Sequence, residues 1–145
     1  MAIDSISSFG NWAPAAKTAE LTDAQLKAWS LKDLQNDTIP GMGVERTYQE
    51  IIKDKVGTTV IVAVIDSGID IEHEDLKNVM WVNPKEIAGN NIDDDKNGYI
   101  DDINGWDFID NDSDPYDFKG HGTQVAGIIA AAKDGKGIQG ITQDT

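Results

Sequence analysis

The sequence has no cysteine, so neither a disulfide framework nor a thiolate metal site is open to it. Basic residues are scarce: 12 Lys and Arg stand against 26 Asp and Glu, a net charge of −14. This balance argues against nucleic acid and anionic membrane surfaces as partners, and favours cations. Long apolar runs are missing as well. Nowhere do about 18 consecutive apolar residues occur, as a membrane span needs, and residues 1–17 lack the basic start and apolar stretch of an export signal. The hydrophobic share, 39% of 145 residues, is still enough for one globular core.

The acids that are present are unevenly placed. Ten aspartates fall between Asp93 and Asp117, and their mutual repulsion is of the kind that a bound cation relieves. Residues 1–19, rich in Ser and Ala and broken by Gly10 and Pro14, read as a flexible leader. Residues 20–145 read as the folded portion. Thr22 and Gln25 form a capping-box pattern, and Leu26, Trp29 and Leu34 share a helical face to about Asn36. Turn residues 39–43 follow, then a second amphipathic helix on Val44, Tyr48, Ile51 and Ile52, closed by 53–57.

Residues 58–65, TTVIVAVI, form a continuous β-branched run of the length and character of a central parallel strand. Asp66 stands at its carboxyl end, the edge of a parallel sheet where catalytic groups gather. Residues at about 79–104 read as an inserted loop. After His121, residues 125–132 (VAGIIAAA) are apolar all round, as in a helix buried against a sheet, and Gly135, Gly137 and Gly140 turn the chain out of it.

A hydroxyl attacks an amide at neutral pH only when a base takes its proton, and an imidazole does so well when a carboxylate fixes its tautomer. Asp66 and His121 are candidates for that pair. Taken singly, Asp66 reads more readily as a strand-end cap and His121 as a turn or surface histidine. Together, VIDSGID after a β-branched strand and HGTQVAGIIAA opening an apolar helix make the chain resemble the subtilisin-like serine proteases from about Trp29 onward. The resemblance implies an α/β fold, the front part of a doubly wound, mostly parallel sheet, incomplete here. It implies a serine-type endopeptidase acting on protein or peptide substrates, with Asp66 as triad acid and His121 as triad base. The order Asp, His, Ser along the chain is a property of that family in general. Gln124 replaces the family's usual second histidine, which is not a triad member.

The family's Gly-Thr-Ser-Met nucleophile turn does not occur in the sequence, and none of Ser5, Ser7, Ser8, Ser30, Ser67 or Ser113 has that context. The expectation is therefore a fragment lacking the serine and inactive by itself. A competing reading is a non-catalytic calcium-binding or decoy module with the same front half. An aspartate-nucleophile phosphatase is disfavoured, because its Asp-x-Asp-Gly-Thr is here Asp66-Ser67-Gly68-Ile69-Asp70.

Residues 93–101, DDDKNGYID, fit the first nine positions of an EF-hand-type calcium loop, with oxygens at alternate residues and Gly98 at the bend. Asp93, Asp95, Asn97, the Tyr99 carbonyl and Asp101 are the candidate ligands. Position twelve is Asn104 in place of a bidentate Glu, and Asp102 offers a replacement oxygen. An Asp/Asn-Gly turn on an acidic surface is the competing, less favoured reading. Similar inserts occur in bacterial subtilisin-like proteases, and the family's common calcium site implies two further ligands, Asp75 and Asp134. Structural calcium suits a secreted, periplasmic or cell-surface protein.

Overall fold

The computed structural model describes residues 20–142, so the leader reading of 1–19 lies outside it. The chain divides into two compact units, Met1–Val56 and Gly57–Thr145. The boundary falls inside the span read from sequence as one folded portion.

In the first unit, helix α1 covers Asp23–Ala28 and runs into a 3₁₀ turn, Trp29–Leu31. Its capping box forms as the pattern predicts: the Gln25 N–H donates to Thr22 Oγ1 at 3.4 Å, and the Thr22 N–H to Gln25 Oε1 at 3.0 Å. The helix stops short of Asn36. Asp33 Oδ1 accepts the Gln35 and Asn36 N–H groups at 2.8 and 3.0 Å, so a side-chain turn replaces the helical ladder there. Helix α2, Val44–Thr47, continues as a π-helical turn, Tyr48–Ile52. Buried Leu31, Ile39 and Val44 form a small core, and Lys32 pairs with Glu45 at 2.6 Å beside it.

The second unit is built mostly of turns. Its one regular element among the described residues is α3, His121–Ala130. Residues 58–65, read as a central strand, have no ladder partner among the described residues, where the only β pairing is an isolated bridge between Asp107 and Asp112. Val60, Ile61, Val62 and Ile65 are exposed accordingly. A β-branched run encodes a preference for a pleated, half-buried surface; the pairing that makes it a strand must come from neighbours.

Helix α3 begins at His121, four residues before the apolar stretch that signalled it. Gly120, in the left-handed region at φ 77°, turns the chain into the helix. The exit is equally tight. Ala132 N–H donates to the Asp75 carbonyl at 3.1 Å, and Gly140 and Ile141 return to Ala131 and Ile128 at 3.0 and 2.9 Å. Ala126 on this helix, Ala131 at its C-cap and Leu76 are buried.

Candidate active site

Asp66 follows the 58–65 segment and opens a bend whose conformation needs glycine. Gly68 has φ 109°, and a Cβ there would lie 2.5 Å from the Tyr116 carbonyl oxygen and 2.6 Å from that of Pro115. The Ile69 N–H closes the contact by donating to the Pro115 carbonyl at 2.7 Å. Helix α3 meets the same bend through Gly122, where any side chain would collide with the Gly68 carbonyl and crowd Asp66 Cβ at 3.1 Å. Close backbone approach at these two glycines brings Asp66 to His121.

His121 Nδ1 lies 2.7 Å from Asp66 Oδ1 and 2.9 Å from Oδ2. An ionised carboxylate only accepts, so Nδ1 carries the proton and donates it. That leaves Nε2 as the nitrogen available to an incoming hydroxyl. The imidazole is open to solvent while the Asp66 side chain is 20% exposed. The hydrogen bond from His121, and next the Ser67 N–H, hold the Asp66 carboxyl below its ordinary value. The same hydrogen bond, together with the Asp66 charge, raises His121 against a smaller opposing effect of burial.

A third group was not legible as a site residue in the sequence. Asp117 is 9% exposed, and five donors converge on it. Its Oδ1 accepts from Ser67 Oγ at 2.8 Å, Lys119 N–H at 3.0 Å and Gly120 N–H at 2.7 Å. Its Oδ2 accepts from Thr123 N–H at 2.8 Å and Thr123 Oγ1 at 2.7 Å. Burial alone raises this carboxyl, but the donors from Thr123, Ser67 and Gly120 prevail and hold it far below its ordinary value. Asp117 thereby supplies the cap that glycine at position 120 cannot. The Ser67 hydroxyl is committed to Asp117 and is not presented to the His121 ring.

In the insert, one oxygen from each of Glu86, Asp93 and Asp95 lies within 4.8 Å of the others. No Lys or Arg among the described residues forms an ion pair with any of the three. Oxygen donors so close, without a counter-charge, fit a hard cation. Glu86 was outside the nine-residue window read from sequence. It accepts the Asp95 N–H at 3.0 Å and the Asp101 N–H at 3.1 Å, holding both ends of the loop. Asp101 is not one of this group of three; its two carboxylate oxygens accept the Asn90 and Asn91 N–H groups at 3.2 and 3.0 Å, as those of Asp93 accept the Asn97 and Gly98 N–H groups at 3.0 and 2.9 Å. Asn97 Oδ1 is likewise engaged by the Tyr99 N–H at 2.8 Å. The Tyr99 ring packs on Trp106 and Phe108, with centroids 5.0 and 5.9 Å away.

The family model described as the subtilase family matches residues 57–145, the span of the second compact unit. This chain belongs to the subtilase family. It is 46% identical over 100 residues to subtilisin-like protease 1 of Plasmodium vivax, a match covering 68% of this chain and 16% of that protein. It is 36% identical over 106 residues to a thermophilic serine proteinase of Bacillus sp. (strain AK1), covering 71% and 21%. With the major intracellular serine protease of Bacillus subtilis (strain 168) it shares 35% over 109 residues, covering 75% and 28%. The chain thus spans between 16% and 28% of the length of these relatives. No helix among the described residues is long and apolar enough to cross a membrane.

In this subtilase, Asp75 and Asp134 join no group of three or more acidic or histidine ligands among the described residues. The Asp75 carboxylate lies beside Gly137, whose added Cβ would be 3.4 Å from Oδ2. Asp134 accepts the Lys136 N–H at 2.9 Å and faces Lys136 Nζ at 3.9 Å.

The charge states carry a pH prediction. Between the ordinary values of 3.8 for Asp66 and 6.5 for His121, both groups are ionised and their attraction is fully present. It is lost as pH rises through the raised histidine value, or falls through the lowered carboxyl value. A raised pKa means that the ring proton is held to higher pH, so the His121 imidazole should titrate with a midpoint above 6.5. An NMR pH titration of the ring checks this.

Proposed function

We propose that Asp66 and His121 are the acid and base of a serine endopeptidase of subtilisin type, acting on protein or peptide substrates. The observation that carries this reading is the bond from His121 Nδ1 to the Asp66 carboxylate at 2.7 Å, formed between the two segments whose sequences define the resemblance. In the proposed reaction, His121 Nε2 takes the proton of a serine hydroxyl as it attacks the peptide carbonyl. His121 then returns the proton to the leaving amine. Asp66 keeps the tautomer and stabilises the imidazolium that forms between the two steps.

The nucleophile, in this reading, comes from a part of the complete protein that follows this sequence, and residues 58–65 are a strand of the doubly wound sheet completed by that part. The 145 residues alone then hydrolyse no peptide bond. The test sets the complete protein against a denatured protein substrate, with and without a serine-directed phosphonate. Cleavage that the phosphonate abolishes supports the reading. A complete protein that neither cleaves nor reacts with the phosphonate is a calcium-binding or decoy module instead.

We also propose that the insert holds a structural calcium ion. Glu86, Asp93 and Asp95 would supply carboxylate oxygens, and the Asn97 side chain and Tyr99 carbonyl are further oxygens of the same loop. When bound, the ion neutralises the crowded carboxylates and stiffens the loop; no step of the reaction passes through it. Asp101 supports the site by holding the turn at Asn90 and Asn91. A calcium-stiffened loop favours a secreted, periplasmic or cell-surface setting.

A further inference from the structure

Asp66 and His121 are 55 residues apart in sequence, and a single buried carboxylate is bonded to the neighbours of both. Ser67, the residue after Asp66, gives its hydroxyl proton to Asp117 Oδ1 at 2.8 Å and its N–H to Asp66 Oδ1 at 2.8 Å. The Ser67 oxygen in turn accepts the Gly122 N–H at 3.2 Å. Thr123, two residues beyond His121, gives both its N–H and its hydroxyl to Asp117 Oδ2, while its oxygen accepts the Asp70 N–H at 2.9 Å. The acid-bearing bend and the base-bearing helix are thus laced to one another on both sides of the pair.

Asp66 has few ties of its own, the Ser67 N–H and His121, so its aim depends on how its backbone is held. Asp117, by contrast, is saturated: a carboxylate has about four lone-pair sites, and five donors reach it. Hydrogen bonds to an ionised acceptor are about twice as strong as neutral ones, and a carboxylate gripped on both oxygens cannot rotate. An asparagine at this position would turn an N–H₂ toward donors on one side and break those ties.

We propose that Asp117 is a positioning residue, whose carboxylate fixes the distance and aim of Asp66 against His121 by clamping Ser67 and Thr123; this rests on the reading of that pair as triad acid and base. Asp117 does not touch the reacting atoms. It is the part of the structure that makes the 2.7 Å contact a fixed one.

The charged groups that face His121 are Asp66, on the bend, and Asp117, on the turn before α3. Removing the Asp117 charge lowers the His121 pKa through the field alone, so the test needs variants that keep the charge and cut the ties. In the complete protein, the far-downfield proton resonance of the His121 Nδ1–H is recorded for the natural protein and for Asp117→Asn, Ser67→Ala and Thr123→Val. Values of kcat and KM on a peptide substrate are measured alongside.

The resonance should be present in the natural protein and lost or displaced in Ser67→Ala and Thr123→Val, the two variants that keep the Asp117 charge. In both variants kcat should fall by about 100-fold, the scale of a misplacement near 1 Å, with KM unchanged. Folded variants that keep the natural resonance and kcat overturn the proposal. If Asp117→Asn does not fold, Ser67→Ala and Thr123→Val decide the matter with the same readouts. A resonance that moves in a protein without peptidase activity upholds the positioning role and removes the peptidase reading. An active enzyme whose resonance and kcat are indifferent to the variants does the reverse.

Discussion

Asp66→Asn in the complete protein is expected to lower kcat by about ten-thousand-fold with little change in KM, a magnitude carried over from serine-protease triads in general. The cause lies in the bond at Nδ1. Asp66 presents acceptors to that nitrogen at 2.7 and 2.9 Å, so the ring proton is held there and Nε2 is left with its lone pair. An asparagine amide that turns its N–H₂ group to Nδ1 makes that nitrogen the acceptor and sends the proton to Nε2. The ring then cannot take a proton from a hydroxyl. Because the Asp66 side chain is 20% exposed and the substitution is isosteric, binding of substrate should persist. A rise in KM with kcat intact would mean that Asp66 lines a binding surface and is not a triad member.

Removing calcium from the complete protein should lower its thermal midpoint, and Asp93→Ala or Asp95→Ala should abolish most of that calcium dependence. A ligand at 100 times its dissociation constant adds about 2.7 kcal/mol to stability. For a domain of ordinary size this corresponds to roughly 5–10 °C in Tm. The direction follows from charge: Glu86, Asp93 and Asp95 hold oxygens within 4.8 Å of one another, so without an ion the native loop carries their repulsion. Asp101→Ala should weaken binding less, because its carboxylate is not one of that group of three. Titration calorimetry with calcium separates these cases. Unchanged binding in both the Asp93 and Asp95 variants would remove the calcium site.

What the sequence shows of this protein depends on whether a residue's role follows from its own segment or from distant neighbours. The capping box at Thr22 and Gln25 was legible because both partners lie within one turn. The Asp66–His121 pair was legible for another reason: the glycines that let the segments meet, Gly68 and Gly122, are written into the motifs beside the acid and the base. Asp117 was hidden among nine other aspartates of the same type. Only burial and five converging donors set it apart, and both depend on Ser67 and Thr123 folding over it. Glu86 escaped because it precedes the acidic run and is recruited by backbone N–H groups of Asp95 and Asp101. The run at 58–65 carries the β-branched signature of a strand, but no residue described here pairs with it.

The start of α3 illustrates the same division. Apolar periodicity locates the part of a helix that packs, here from Val125, and says nothing of a polar first turn. That turn, carrying His121, is held by the Asp117 carboxylate through Gly120 and Thr123. Its placement ahead of the buried stretch leaves the imidazole open to solvent while Gly122 and Ala126 are buried.

The proposed role of His121, oriented by Asp66, is that of general base in peptide hydrolysis. Its most direct test is the pH–rate profile of the complete natural protein beside that of His121→Ala, with a peptide substrate. The natural protein should show an acid limb with a midpoint above 6.5, and the variant should show no turnover above background at any pH. Near-normal hydrolysis by His121→Ala, with the acid limb intact, would contradict the assignment.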